Sequence, residues 1–294
     1  MRVLIAGASG LIGDALSARL RETGHEVRKL VRRDPATPDE QRWDPPAGKI
    51  AAGALDDVDA VVNLCGAPLF PSRWSGARKQ VLLDSRVEPT DVLAEAVAEH
   101  GIPVLVNASA VGYYGNPGSA VVDEKTTSGE GFLAELCVAW EAATTPATVA
   151  GARVVSIRTG LVLAKEGGLL ATLKPLFWLA LGSRLGSGKQ YMPWISLEDE
   201  VRAIVFALEN DAVSGPVNLS APQPVTNIEF TKAFAQALHR PAALRVPGFA
   251  LKLLLGQAGE EMALFGQRAV PRELEKAGFE FRHTDIAEAM SNAV

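Results

Sequence analysis

The stretch Arg2-Val3-Leu4-Ile5-Ala6-Gly7-Ala8-Ser9-Gly10-Leu11-Ile12-Gly13 decides the fold. Val3, Leu4 and Ile5 form the short apolar run of a parallel strand covered on both faces. Three glycines follow, and Leu11 opens a segment of helical period that runs to Glu22 and is closed by Gly24. In this setting the glycines have separate duties. Gly7 permits the tight turn, Gly10 lets the backbone come close to a pyrophosphate, and Gly13 lets the helix pack close to the strand. The first N–H groups of the helix face the anion. A plain strand-to-helix turn is the alternative, but the flanking elements favour a dinucleotide site contacted by Gly7, Ser9, Gly10, Leu11, Ile12 and Gly13.

The second strand, Glu26 to Val31, ends in Arg32 and Arg33, where an NAD-binding chain usually offers a carboxylate to the ribose. Two guanidiniums suit a 2′-phosphate, so NADP(H) is expected over NAD(H). Solvated surface arginines, with Asp34 reaching the ribose instead, are the alternative. Asp34 to Gly48 is rich in proline and charge and reads as a surface loop. Beyond it the alternation continues. Ala60–Leu64 is a third strand, Gly76–Glu99 a long helix, Val104–Ala108 a fourth strand, Val111–Gly118 a loop, Glu130–Thr144 a helix and Arg153–Ile157 a fifth strand. The pattern predicts an α/β fold, a doubly wound parallel sheet of Rossmann type with a smaller C-terminal substrate lobe. Glycines cluster at 167, 168, 182, 186 and 188, which puts a boundary near Lys165. Residues 1–165 then form the NADP-binding domain and 166–294 the substrate lobe, with helices near Glu198–Glu209, Asn227–Leu238 and Asp285–Asn292. Pro216–Leu219 is a short strand able to return to the main sheet.

Composition narrows the function classes. At 294 residues and 48% hydrophobic the chain buries a sizeable core, which argues against disorder. Its 29 basic and 34 acidic residues give a net charge of -5 with no block of like charge, so neither nucleic acid nor a membrane surface is expected as partner. Cys65 and Cys137 form no C-x-x-C pair and have no histidine at ligand spacing, so reduced thiols and no metal are expected. No signal segment precedes the glycine turn, and Phe249 to Leu255 is too short to span a bilayer. A cytoplasmic protein is the expectation. The four histidines are scattered and receive no role.

The glycine loop, Asn63-Leu64-Cys65-Gly66 after the third strand, and Ser109 ahead of Tyr114-Gly115 together resemble an extended short-chain dehydrogenase/reductase over nearly the whole chain. The resemblance implies that the Asn-x-x-Gly turn lines the cofactor through Leu64, Cys65 and Gly66. Ser85-Arg86-Val87-Glu88-Pro89-Thr90 resembles the family's Asn-Val-x-Gly-Thr helix, and Arg86 in place of the asparagine would bring a cation near the cofactor. Gly186-Ser187-Gly188-Lys189-Gln190, followed by Pro193 to Asp199, resembles the substrate-lobe segment of sugar-nucleotide epimerases. The match is closest to the atypical subgroup classed with nucleoside-diphosphate-sugar epimerases of unknown substrate. It implies a small polar or nucleotide-sugar substrate and a monomer or homodimer.

The family's catalytic pair is Tyr-x-x-x-Lys, and none of Tyr113, Tyr114 and Tyr191 has a lysine four residues on. Matching Glu141 to the acidic residue that often follows the pair puts Leu133 at the tyrosine position and Cys137 at the lysine position, on one helical face. Leucine has no proton to give and cysteine no positive charge. Both read as packing residues, with cofactor contact from Leu133 compatible with that. Ser109 remains a candidate hydrogen-bond partner of the substrate, and Tyr113 or Tyr114 the nearest substitute acid. A structural plug is the alternative for either tyrosine. Arg184 and Lys189 either pair a substrate phosphate or are solvated. Two readings follow: an NADP(H)-dependent oxidoreductase or epimerase, or a protein that binds NADP(H) without turnover and serves as a redox or regulatory sensor.

Overall fold

Val3, Leu4, Ile5 and Ala6 are completely buried, as an apolar run flanked on both faces must be. They belong to the central strand of a computed structural model that describes residues 1–70 and 73–294. The first half of the chain runs β1 (Arg2–Ala6), α1 (Leu11–Glu22), β2 (Glu26–Val31), β3 (Glu40–Asp44), β4 (Lys49–Ile50), β5 (Ala60–Asn63), α2 (Gly76–His100), β6 (Val104–Ala110), β7 (Val121–Val122), α3 (Phe132–Ala142), α4 (Thr145–Val149) and β8 (Arg153–Thr159). The second half runs β9 (Leu161–Leu163), α5 (Gly168–Trp178), β10 (Ser183–Leu185), β11 (Tyr191–Met192), β12 (Trp194–Ser196), α6 (Leu197–Glu209), β13 (Gly215–Leu219), β14 (Val225–Thr226), α7 (Asn227–Ala237), β15 (Leu244–Val246), α8 (Gly248–Leu255), α9 (Gln257–Ala263), β16 (Arg268–Ala269), α10 (Arg272–Lys276) and α11 (Ile286–Asn292).

Among the described residues eight strands form the main sheet in the order β13-β8-β6-β5-β1-β2-β3-β4, parallel except for the β3–β4 pair. The chain builds outward from β1 to β2 and β3, then returns to β5 on the other side of β1. That reversal opens a crevice at the carboxyl ends of β1 and β5, where folds of this kind bind ligands. One face of the sheet is covered by α1 and α6 through Leu16, Leu20, Val201, Ile204 and Leu208. The other is covered by α2 and α4 through Leu93, Ala94, Val97 and Ala147. Each fully buried leucine or valine here stabilises the fold by about 1.5–3 kcal/mol relative to an exposed one.

The sequence reading and the structure part company at residues 34–48. The expected surface loop contains β3, which pairs in parallel with β2 from Lys29↔Glu40 to Val31↔Arg42. It buries Trp43 beside Leu4 and Leu30. β3 lies near the rim of the sheet, covered beyond by only the two-residue β4, and this position tolerates charge and nearby proline, so its apolar alternation is reduced to one tryptophan and the strand signal is lost. Pro216–Leu219 does return to the main sheet, as β13 beside β8. The later elements pack on a cluster of their own that includes Leu170, Phe177, Trp194, Phe230, Phe234 and Met290. Among the described residues no helix is long and apolar enough to cross a membrane.

Candidate functional site

Gly7 ends β1 with φ +82°, and a Cβ there would stand 2.8 Å from the Leu64 carbonyl. The glycine loop is thus pressed against the turn that leaves β5. At Gly13 a Cβ would meet the Gly7 carbonyl oxygen at 2.3 Å, which ties the close approach of α1 to the absence of a side chain. Gly10 differs, because a Cβ would meet only the Gly7 oxygen, at 3.4 Å, and the residue is exposed. Gly10 is also the N-cap of α1, and no side chain among the described residues caps the helix. Its first N–H groups therefore keep a partial positive charge that no described side chain takes up, of the kind that holds an oxyanion.

The facing turn is fixed by a buried polar knot. The Asn63 side-chain oxygen accepts from the Cys65 N–H at 3.1 Å, and its amide nitrogen donates to Asn107 at 2.8 Å and Thr90 at 2.9 Å. Trp140 donates to the same Thr90 hydroxyl at 3.1 Å. β5, β6, α2 and α3 therefore meet at one point beneath Leu64, Cys65 and Gly66. Burial pushes the Cys65 thiol up to about 12, with the Arg32 charge pulling the other way. Arg32, exposed at the end of β2, is the charge that acts on this thiol. Arg33 instead forms a fork on Glu40 at 2.7 and 2.5 Å and draws that carboxyl down to about 2. Asp34 is paired with Arg42. Of the cation and carboxylate candidates after β2, Arg32 alone stands outside these two ion pairs.

Ser109, Tyr113 and Tyr114 are brought together at the carboxyl end of β6, around a buried ion pair. Ser109 is 4% exposed and donates its hydroxyl to Glu141 at 2.6 Å. Glu141 accepts two bonds of 2.8 Å from Arg158. Arg158 donates on to the Tyr114 oxygen at 3.1 Å, and Tyr114 donates to Asn218 at 2.8 Å. Burial pushes the Tyr114 phenol up to about 12. Against the expectation that Ser109 faces a substrate or that Tyr114 supplies a proton, both hydroxyls are engaged inside the protein. Tyr113 differs. It is half-buried, its ring centre lies 3.4 Å from the Arg158 guanidinium carbon, and no described residue is hydrogen-bonded to its hydroxyl. Sequence reasoning assigned no role to Arg158 or Asn218 and used Glu141 only as a marker. The available signal was an arginine closing the apolar run Val154–Ile157 of β8.

Leu133 and Cys137 lie on α3 facing Gly112, where a Cβ would stand 3.2 Å from Leu133 and 3.9 Å from the Cys137 sulfur. Cys137 is buried and its thiol is pushed up to about 12 by desolvation, so it stays neutral. The start of α3 is capped from far along the chain: the Glu261 carboxylate accepts from the Phe132 N–H at 3.0 Å and the Leu133 N–H at 2.8 Å. Arg86, on α2, is buried against Gly66 and Trp140. Arg184 and Lys189 lie on the surface at β10 and the turn after it, with Arg184 opposite Arg245 on β15.

A family model described as the NAD dependent epimerase/dehydratase family matches residues 3–220. The chain belongs to this family. A second model, a domain of unknown function (DUF1731), matches residues 246–293. Within the family, the epimerase family protein ML0860 of Mycobacterium leprae is 56% identical over 291 residues, covering 99% of this chain and 95% of that protein. The crystal structure of the human epimerase family protein SDR39U1 with NADPH is 34% identical, has a TM-score of 0.91, and covers 100% of this chain and 99% of its own. A nucleoside-diphosphate sugar epimerase from Corynebacterium glutamicum is 38% identical with a TM-score of 0.84, over 100% of this chain and 58% of that one. These likenesses make the protein an epimerase-like extended short-chain dehydrogenase/reductase with a Rossmann-type sheet.

Proposed function

We propose that this family member binds NADP(H) in the crevice between β1 and β5 and moves a hydride to or from a small polar or nucleotide-sugar substrate. The observation that carries the reading is the contrast among the three glycines, with Gly7 and Gly13 closed by backbone and Gly10 open above an uncapped helix start. A pyrophosphate fits there, and the solved human relative with NADPH supports the same choice. Arg32 would take the 2′-phosphate, while Leu64, Cys65 and Gly66 would line the nicotinamide half. When bound, the dinucleotide supplies or accepts the hydride. The chain's own part is to orient the substrate over the end of β6 and to hold a proton at the Tyr113 hydroxyl, the one phenol of this cluster with a hydroxyl not engaged by the described residues. Arg158, stacked on the Tyr113 ring and locked by Glu141, fixes that ring in place.

Gly10→Val tests the site, because its side chain would fill the space left for phosphate. NADPH titration should show binding lost in a variant that still melts cooperatively. Arg32→Ala should weaken NADPH by about tenfold or more and leave NADH little changed, since only NADPH carries the 2′-phosphate. Unchanged NADPH affinity in folded Gly10→Val refutes the proposed site. The second reading, NADP(H) binding without turnover, is favoured by the Ser109 hydroxyl being committed to Glu141. It predicts that no aldehyde, ketone or nucleotide sugar oxidises bound NADPH.

A further inference from the structure

Arg86 is 8% exposed, and its surroundings are unusual for a buried guanidinium. One terminal nitrogen donates to the Leu82 carbonyl at 3.0 Å and to the Ser85 hydroxyl at 3.4 Å, and the other donates to the Ala67 carbonyl at 3.1 Å. Its carbon lies 5.1 Å from the Trp140 ring. No carboxylate among the described residues pairs with it, and a second cation, Arg78, bears on it as a like charge. Desolvation lowers its affinity for the proton, to a pKa of about 10. A buried charge without a counter-charge is costly, and departures of this kind from ordinary packing concentrate at functional sites.

The place of this cation matters as much as its isolation. A Cβ on Gly66 would stand 3.1 Å from the guanidinium carbon, so the glycine leaves the group in contact with an exposed turn. The same turn touches Gly7 through Leu64 and Cys65. Arg86 therefore lies beside the β1–β5 crevice, two residues beyond the point where the glycine loop meets β5's exit.

Resting on the dinucleotide reading of that crevice, we propose that Arg86 is a second anion anchor, holding a phosphate oxygen that lies over Gly66, apart from the one at Gly10. The guanidinium fork suits phosphate, and the Leu82, Ser85 and Ala67 contacts aim it. The phosphate comes either from the dinucleotide or from a nucleoside-diphosphate substrate. Nicotinamide fluorescence titration of NADPH, and calorimetric titration of uridine diphosphate into NADPH-treated protein, are to be compared in wild type, Arg86→Lys and Arg86→Gln. Arg86→Gln should weaken one of the two ligands by about tenfold or more, while Arg86→Lys stays within about fivefold of wild type. Loss in the NADPH arm assigns the dinucleotide's phosphate, and loss in the uridine diphosphate arm assigns the substrate's. A lower melting temperature with both affinities unchanged makes Arg86 a structural brace and overturns the proposal. Should Arg86→Gln not fold, the Arg86 Nε–H resonance of wild type, assigned by its disappearance in Arg86→Lys, decides: a shift with either ligand supports the anchor, and no shift with either overturns it. Wild type that binds no NADPH sinks the crevice reading while the uridine diphosphate arm still tests Arg86.

Discussion

Tyr113 and Tyr114 are neighbours in sequence with opposite fates. The Tyr114 hydroxyl is buried between Arg158 and Asn218, whereas Tyr113 presents a ring face to the same arginine and keeps its hydroxyl out of that network. Tyr113→Phe, which deletes only that hydroxyl, is expected to lower kcat by about a hundredfold to ten-thousandfold and leave NADPH affinity unchanged. Cys137→Ala should leave both nearly intact, since its thiol is neutral and buried. Single-turnover oxidation of NADPH against one accepted substrate reads both variants, and a collapse in Cys137→Ala alone would make the thiol the acid. The glycines were legible because a tight turn and a close helix leave steric marks in the sequence itself. The commitment of Ser109 and Tyr114 was not, because Glu141 lies 32 residues from Ser109 and Asn218 104 residues from Tyr114. Their pairing is a property of the folded sheet.

At the scale of elements, α3 illustrates the same limit. Its sequence start offers glycine at the N-cap, Gly131 with φ +108°, and no side-chain oxygen of its own there. The missing acceptor is Glu261 of α9, held in turn by the Gln257 side-chain amide at 2.6 Å. A carboxylate at a helix N-terminus satisfies two free N–H groups and complements the helix dipole. Glu261→Ala should therefore destabilise the protein by about 0.5–2 kcal/mol in urea unfolding, with Glu261→Gln intermediate. A wild-type midpoint in Glu261→Ala would show that α3 needs no cap from α9. β3 was hidden for a different reason. Its one inward anchor, Trp43, is set among charged residues that a strand near the rim of the sheet permits.

For the molecule as a whole, Glu200 brings in a pH dependence of stability. This carboxyl on α6 is completely buried, accepts from the Thr159 hydroxyl at 2.8 Å, and leaves its other oxygen without a partner among the described residues. Burial pushes it up to about 8, against 4.5 for an ordinary glutamate. Between those values the folded chain keeps a proton that the unfolded chain has released. Its contribution therefore falls as pH rises through the window, by up to about 1.4 kcal/mol per pH unit, and is level outside it. Glu200→Gln keeps a neutral acceptor for Thr159 and cannot ionise. Urea unfolding from pH 5 to 8.5 should show a stability advantage for the variant that grows with pH, and parallel profiles would contradict the buried acid.

The cap on α3 also has a bearing on how this chain can be recombined. The carboxylate at the head of that helix is encoded 128 residues downstream of Leu133, inside the segment 246–293 that matches a model separate from the rest. A chimaera that exchanges this segment for a relative's inherits or forfeits the cap according to what the donor carries at position 261. The boundary between the two matched regions is thus a poor crossover point. Offspring of a shuffled library that receive Gly131 and Glu261 together keep the capped start of α3, since a Cβ at 131 would stand 3.0 Å from the Glu261 carboxylate.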